Sequence, residues 1–122
     1  MRNLKKIELI LRFAVFMTFL GHGILALMVT PKWLVYLQTV GFSLDASKKL
    51  IVIIGMIDVL VAITILLKPF KHVVLWAVIW AFSTALIRPI AGQSILAFIE
   101  RGANWGAPMA LLYLLSYNKI YN

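Results

Sequence analysis

The chain has no cysteine, only four acidic residues and only two histidines in 122 positions. Without cysteine it offers no disulfide, no thiolate nucleophile and no iron–sulfur ligand set. A structural zinc site has no ligand set to draw on either, so no metal is expected. Any redox chemistry must therefore use a bound organic cofactor, a haem or a partner. Charge is scarce as well: 13% of residues are charged against 63% hydrophobic, far from the mix of a soluble domain of this size. This balance predicts an integral membrane protein. Basic residues outnumber acidic ones 12 to 4, for a formal charge of +8. Lys and Arg gather at the ends of apolar runs, where they meet lipid headgroups, so the bilayer and not a nucleic acid is the expected partner.

What is present is a series of apolar runs. Residues 7–29 cover roughly 34 Å as a helix, enough for a hydrocarbon core of about 30 Å. The run is too long for the apolar part of a signal peptide and lacks a small-x-small cleavage site, so it is expected to stay in the mature protein. Thr30-Pro31 follows, and residues 32–39 place Trp33 and Tyr36 as an interfacial segment would. Gly41, Ser43, Asp45 and Ser47 supply turn and N-cap chemistry for a second span at 50–67, which ends at Lys68-Pro69 because proline cannot donate the next backbone bond. A third span covers 73–88, close enough to form an antiparallel hairpin with the second. Residues 90–103 read as a surface or re-entrant helix ended by Gly102, and a short last span covers 106–121. The expected fold is an all-α, integral membrane four-helix bundle, a single transmembrane domain over 1–122 with short interfacial helices on the non-cytoplasmic side. Arg2, Lys5, Lys6, Lys68, Lys71 and Lys119 fall on one side, and Lys32, Lys48, Lys49 and Arg101 on the other. That bias puts both termini in the cytoplasm of a multi-pass protein, with a bacterial cytoplasmic membrane as the expected location.

Polar residues inside the spans are few, and an isolated charge near the bilayer centre costs about 2.5–3.5 kcal/mol on insertion scales. In the first run, Glu8, Arg12 and His22 share one face at steps of three and four. Counting from residues 7 and 73 puts His22 and Arg88 each about 22 Å from the inner edge, in one layer that Gln93, Glu100, Arg101, Asn104 and Trp105 close over. Arg12 at about 7 Å and Asp58 at about 13 Å form an inner layer with Glu8. Asp58 is expected to be paired, protonated or hydrated: either a structural ion pair with Arg12 or a proton-relay or ligand-binding carboxylate. Gly21 and Gly23 flank His22, allowing a helix or flat ligand to approach closely. The two readings of His22 are a core hydrogen bond and, with Arg88, a polar anchor for a headgroup or carbonyl. Trp76 and Trp80 are either ordinary packing or, with Phe16, Phe19 and Phe82, the walls of a slot for an isoprenoid or other flat hydrophobic molecule. The candidate ligand-binding set is thus His22, Arg88, Trp80, Trp76, Glu100 and Asn104. Bis-histidine haem ligation within one chain is excluded by depth, since His72 falls in the opposite loop.

Leu11-Arg12-Phe13, Phe19-Leu20-Gly21-His22-Gly23 and Ile54-Gly55-Met56-Ile57-Asp58-Val59-Leu60 together resemble the DoxX-like superfamily of small four-helix membrane proteins. Members typically show an arginine in helix one followed by His-Gly, and Gly-x-x-Glu in helix two. Here Asp58 stands where glutamate is usual, and the likeness covers roughly residues 8 to 70. It implies a fold more narrowly than a reaction, since such families include subunits of quinone-linked oxidoreductases and redox-stress complexes as well as membrane-protein assembly factors. Three functions are carried forward. The first is a redox-associated subunit binding a quinone-like lipid. The second is a scaffold or assembly factor that docks a membrane or redox protein through its outer cap. The third is a small transporter or channel subunit, which four crossings could build only as a homo-oligomer.

Overall fold

The computed structural model describes residues 2–121, with side chains described for residues 3–117. The expected headgroup contacts of Arg2 and Lys119 lie outside the described side chains. Among the described residues the secondary structure is all helix, with no strand. The elements are α1 (Arg2–Leu27), α2 (Pro31–Thr39), α3 (Leu44–Leu67), α4 (Lys71–Ile90), α5 (Ile95–Ile99) and α6 (Gly102–Tyr121). Of these, α1, α3 and α4 are long and apolar enough to cross a membrane. Their outward faces are apolar too: Leu9, Ile10 and Met17 on α1, Leu60 on α3 and Ile79 on α4 are exposed, which suits contact with lipid.

Local chemistry explains the breaks. Ser43 caps α3, its hydroxyl accepting from the Ala46 amide at 3.2 Å. At the other end Pro69 lacks the amide that would have reached the Ile65 carbonyl. Past Ile90, the Gln93 amide donates to Arg88 O and the Gly92 amide to Pro89 O, with Gly92 at φ 105°. This is the glycine-terminated reverse turn that stops a helix by satisfying its last carbonyls. The end of α1 repeats the pattern, with Thr30 donating to Leu25 O and Val29 to Ala26 O, but the left-handed residue is Val29 at φ 54°. A β-branched side chain is strained there.

Residues 90–103 differ from expectation. Only Ile95–Ile99 is helical before Gly102, and Gly102 opens α6 instead of ending a surface helix. The turn at Gly92 uses up the first residues, and Ser94 then caps only a short helix, its hydroxyl accepting from the Leu96 amide.

Packing puts α1 against α3 and α6, and α4 against α6. A shared core of Val15, Phe19, Val61, Ala62, Ile65, Val74, Ala77, Ala81 and Leu111 draws on all four long helices. The closest approach is between α1 and α3. A Cβ on Gly55 would lie 2.9 Å from both Gly23 O and Leu27 N, and one on Gly23 would lie 3.0 Å from Gly55 O. No side chain fits between these backbones, so the glycine pair fixes their separation and register. Consecutive helices α3 and α4 are joined by a short turn yet touch little. Away from that turn they splay, and α2 bridges the gap.

Candidate functional site

The gap between α3 and α4 holds a cavity of about 430 Å³, within the usual range for small-molecule sites. His22 reaches it from α1, Trp33 and Tyr36 from α2, Asp58 from α3, and Trp80, Thr84 and Arg88 from α4. Helix geometry gives its length. Asp58 and Trp80 are each nine residues from the α3–α4 turn, while Leu50 and Arg88 are each seventeen from it. The cavity therefore runs about 12 Å along the helices, from an Asp58–Trp80 end to an Arg88–Leu50 end under α2.

At the α2 end, Arg88 Nη1 donates to the Tyr36 hydroxyl at 2.7 Å, and the guanidinium carbon lies 5.0 Å from the centre of the Tyr36 ring. The Gln93 amide nitrogen donates to the same hydroxyl at 2.6 Å. The turn that ends α4 thus also positions a donor for α2. Arg88 is only 6% exposed, and its buried Nε has no partner. At the other end Asp58 is 4% exposed, and its Oδ1 is buried without a hydrogen-bond partner. Groups this deep are normally satisfied, so each marks an unfilled bonding capacity.

Aromatic rings form much of the wall. Trp80 is stacked on Trp76 with centroids 5.5 Å apart and planes 11° from parallel, and His22 meets Trp33 edge-on at 5.5 Å. Two hydroxyls are turned away from the cavity as donors: Thr84 donates to Ala81 O at 3.0 Å and Ser83 to Ile79 O at 2.8 Å. Their oxygens remain available as acceptors.

Several sequence expectations change. Arg12 is not paired with Asp58. Its Nε donates to Ile65 O at 3.2 Å, its Nη2 to Leu66 O, and its Nη1 meets Glu8 at 3.5 Å. Because Pro69 cannot serve the Ile65 carbonyl, the C-terminal turn of α3 presents acceptors and partial negative charge closer to Arg12 than the Asp58 carboxyl. Asp58 instead joins His22. Arg12, and not residue 7, stands opposite the end of α3, so counting from residue 7 placed His22 about 7 Å too far out. With Gly23 packed on Gly55 and Val59, His22 lies level with the turn that carries Asp58.

His22, Arg88 and Trp80 line the cavity, whereas Trp76 is exposed and supports Trp80 from behind. Glu100 and Asn104 are not in the lining. Glu100 is exposed and paired with Arg101 at 2.7 Å, and the Asn104 amide bonds Arg101 O in the first turn of α6. Phe19 belongs to the core, Phe16 packs on it, and Phe82 meets Phe98 and Trp105, so these rings do not wall the slot. Trp33 and Tyr36 do. Their three-residue spacing puts them on one helical face but predicts only an interfacial segment. Among the described residues no group of His, Asp and Glu is arranged to hold a metal ion. No family model, curated protein or solved structure matches the chain.

Proposed function

We propose that the chain is a multi-pass membrane protein that holds one small, mostly apolar molecule with a flat polar head, of the quinone class, in the cavity between α3 and α4. One observation carries the reading: two buried ionisable side chains, Asp58 and Arg88, neither of them in an ion pair among the described residues, line one aromatic-walled cavity. Burying such groups is costly unless something bonds them, and an apolar pocket with a few convergent polar groups is the usual form of a ligand site. The quinone class is favoured by the aromatic rings of Trp33, Tyr36 and Trp80 in the cavity wall and by the DoxX-like residues around Arg12, His22 and Asp58. In this reading the protein is a redox-associated subunit that passes its ligand to or from a partner enzyme. Helix α6 makes a fourth crossing, and both termini are cytoplasmic.

The test is equilibrium binding of a decyl-tailed benzoquinone to the purified protein in lipid nanodiscs. Saturable one-to-one binding that is lost in Arg88→Met and weakened in His22→Ala supports the reading. Binding that both variants leave unchanged overturns it. Because the chain has no cysteine, single cysteines introduced at Lys5 and Lys32 report topology without background. Labelling of the two from opposite sides of the membrane is expected.

A further inference from the structure

Helices close the cavity on every side but one. His22 of α1 stands at its back, α3 and α4 form its side walls, and α2 covers the end away from their connecting turn. Across the side away from α1, where α3 and α4 splay, no helix passes among the described residues. Exposure locates the opening. Val40 and Phe42, just after α2, line the cavity yet are 60% and 45% exposed, and Ser83 on α4 both lines it and is exposed. Serine is short, so it does both only where the opening is beside it. On the facing α3, Ile54 lines the cavity next to the exposed Ile53 and Ile57. Ile54 is thirteen residues from the end of α3 and Ser83 twelve from the start of α4. The two therefore stand level, about 18–20 Å from the turn and within a hydrocarbon core about 30 Å thick. Because α3 and α4 are both long and apolar enough to cross a membrane, this opening faces lipid. Polarity falls in the same direction. Asp58 and Arg88 are buried and His22 and Tyr36 half-buried, whereas the rim is Val40, Phe42, Ile54 and Ile87, with the Ser83 hydroxyl already donating to Ile79 O.

We propose that the ligand enters and leaves sideways from the bilayer, through the slot between Ile54 and Ser83. Its polar head passes inward to His22, Asp58 and Arg88, and its apolar tail stays in the slot and in the lipid beyond. The class this selects is a membrane-dissolved amphiphile with one apolar end. A water-soluble ring has no comparable entrance, since α2 is pinned over the far end by Leu34 and by the Tyr36 hydroxyl. Leaving the tail in lipid also spares the small cavity from enclosing it, because lipid chains and apolar side chains are equally good surroundings for hydrocarbon. This rests on the cavity being the ligand site and adds the route to it and the orientation of what it holds.

The experiment uses the absence of native cysteine and has two arms, both on the full chain in lipid nanodiscs. The first needs no ligand. Thr84→Cys, set behind the rim, is labelled with bilayer-dissolved N-dodecylmaleimide and with a charged, water-borne methanethiosulfonate. The ratio of the two rates is expected to match that of Ile79→Cys, on the exposed face of α4, and not that of Lys32→Cys on α2. Ile87→Cys, also in the lining, serves if Thr84→Cys does not fold. In the second arm Ile54→Cys/Ser83→Cys is bridged by a short bismaleimide, and association of decyl-benzoquinone is followed by quenching of tryptophan fluorescence. The bridge is expected to slow association by about tenfold or more, while a poly(ethylene glycol) maleimide on Lys32→Cys leaves the rate unchanged. A labelling ratio like that of Lys32→Cys, or a bridge without effect on association, overturns the inference and leaves the cavity site standing. If the unbridged protein binds no quinone, the quinone reading fails, and the labelling ratio alone decides the route.

Discussion

Two arginines, Arg12 and Arg88, sit in helices of similar character and are treated in opposite ways. Arg12 is fully engaged, with Glu8 from its own helix and two carbonyls that Pro69 leaves at the end of α3. Arg88 is more deeply buried yet only partly engaged, donating to one phenol while its Nε goes without a partner. A buried charge whose hydrogen bonds close within the protein fixes how helices dock. One whose bonds stay open, beside a cavity and opposite an equally unsatisfied carboxyl, is held ready for something from outside. The same sequence feature, arginine in an apolar run, thus has a structural use at one end of the molecule and, in the function proposed above, a binding use at the other.

The contrast can be broken most severely at the glycine contact that supports both ends. Gly55→Ala pushes a methyl into the backbone of α1, and thermal unfolding in detergent should show a loss near the upper end of the about 1–3 kcal/mol typical of overpacking. Gly21→Ala, with nothing within 4 Å of the added carbon, should instead stabilise α1 by about 0.5–1 kcal/mol. The arginines themselves sharpen the comparison. Arg12→Met should lower stability by about 1–2 kcal/mol, because two carbonyls lose their donor, while leaving the affinity of the cavity unchanged. Arg88→Met should leave the unfolding temperature unchanged or raise it, because a partly unpaired buried charge is removed, and should abolish binding. If Arg88→Met destabilises as much as Arg12→Met, the two arginines have the same role and the distinction falls. The smallest effect is expected at Val29. Left-handed backbone costs an L-residue about 1–2 kcal/mol, and glycine's greater unfolded freedom returns about 0.5–1 of that, so Val29→Gly should stabilise by about 0.5 kcal/mol in the same melts.

The three most apolar helices, their breaks at Pro31 and Pro69, and the inward placement of His22, Trp80 and Arg88 could all be read from hydropathy and spacing. Asp58 could not be placed correctly, because its depth relative to His22 depends on how far α1 runs past the end of α3. That offset is set by the Gly23–Gly55 contact, a pairing between segments some thirty residues apart. Tyr36 and Trp33 read as interfacial anchors because an amphipathic turn with aromatics suits a membrane surface. Their place in the cavity wall follows from α2 folding back across the gap between α3 and α4, a tertiary outcome that no local pattern encodes. Glu100 and Asn104 erred in the other direction, since polar residues on the same side of a membrane need not face the same space.

Helix α2 has nine residues, fewer than the roughly 12–15 that a helix needs to persist alone in water. It is held by Leu34, buried with Ala26 and Ile51, and by a single phenolic oxygen that accepts hydrogen bonds from Arg88 and Gln93. The order of the segment covering Asp58 and Arg88 therefore depends on its neighbours, and its local unfolding would open the cavity. Amide hydrogen exchange along Pro31–Thr39 would time that opening, and a ligand bound beneath α2 would slow it.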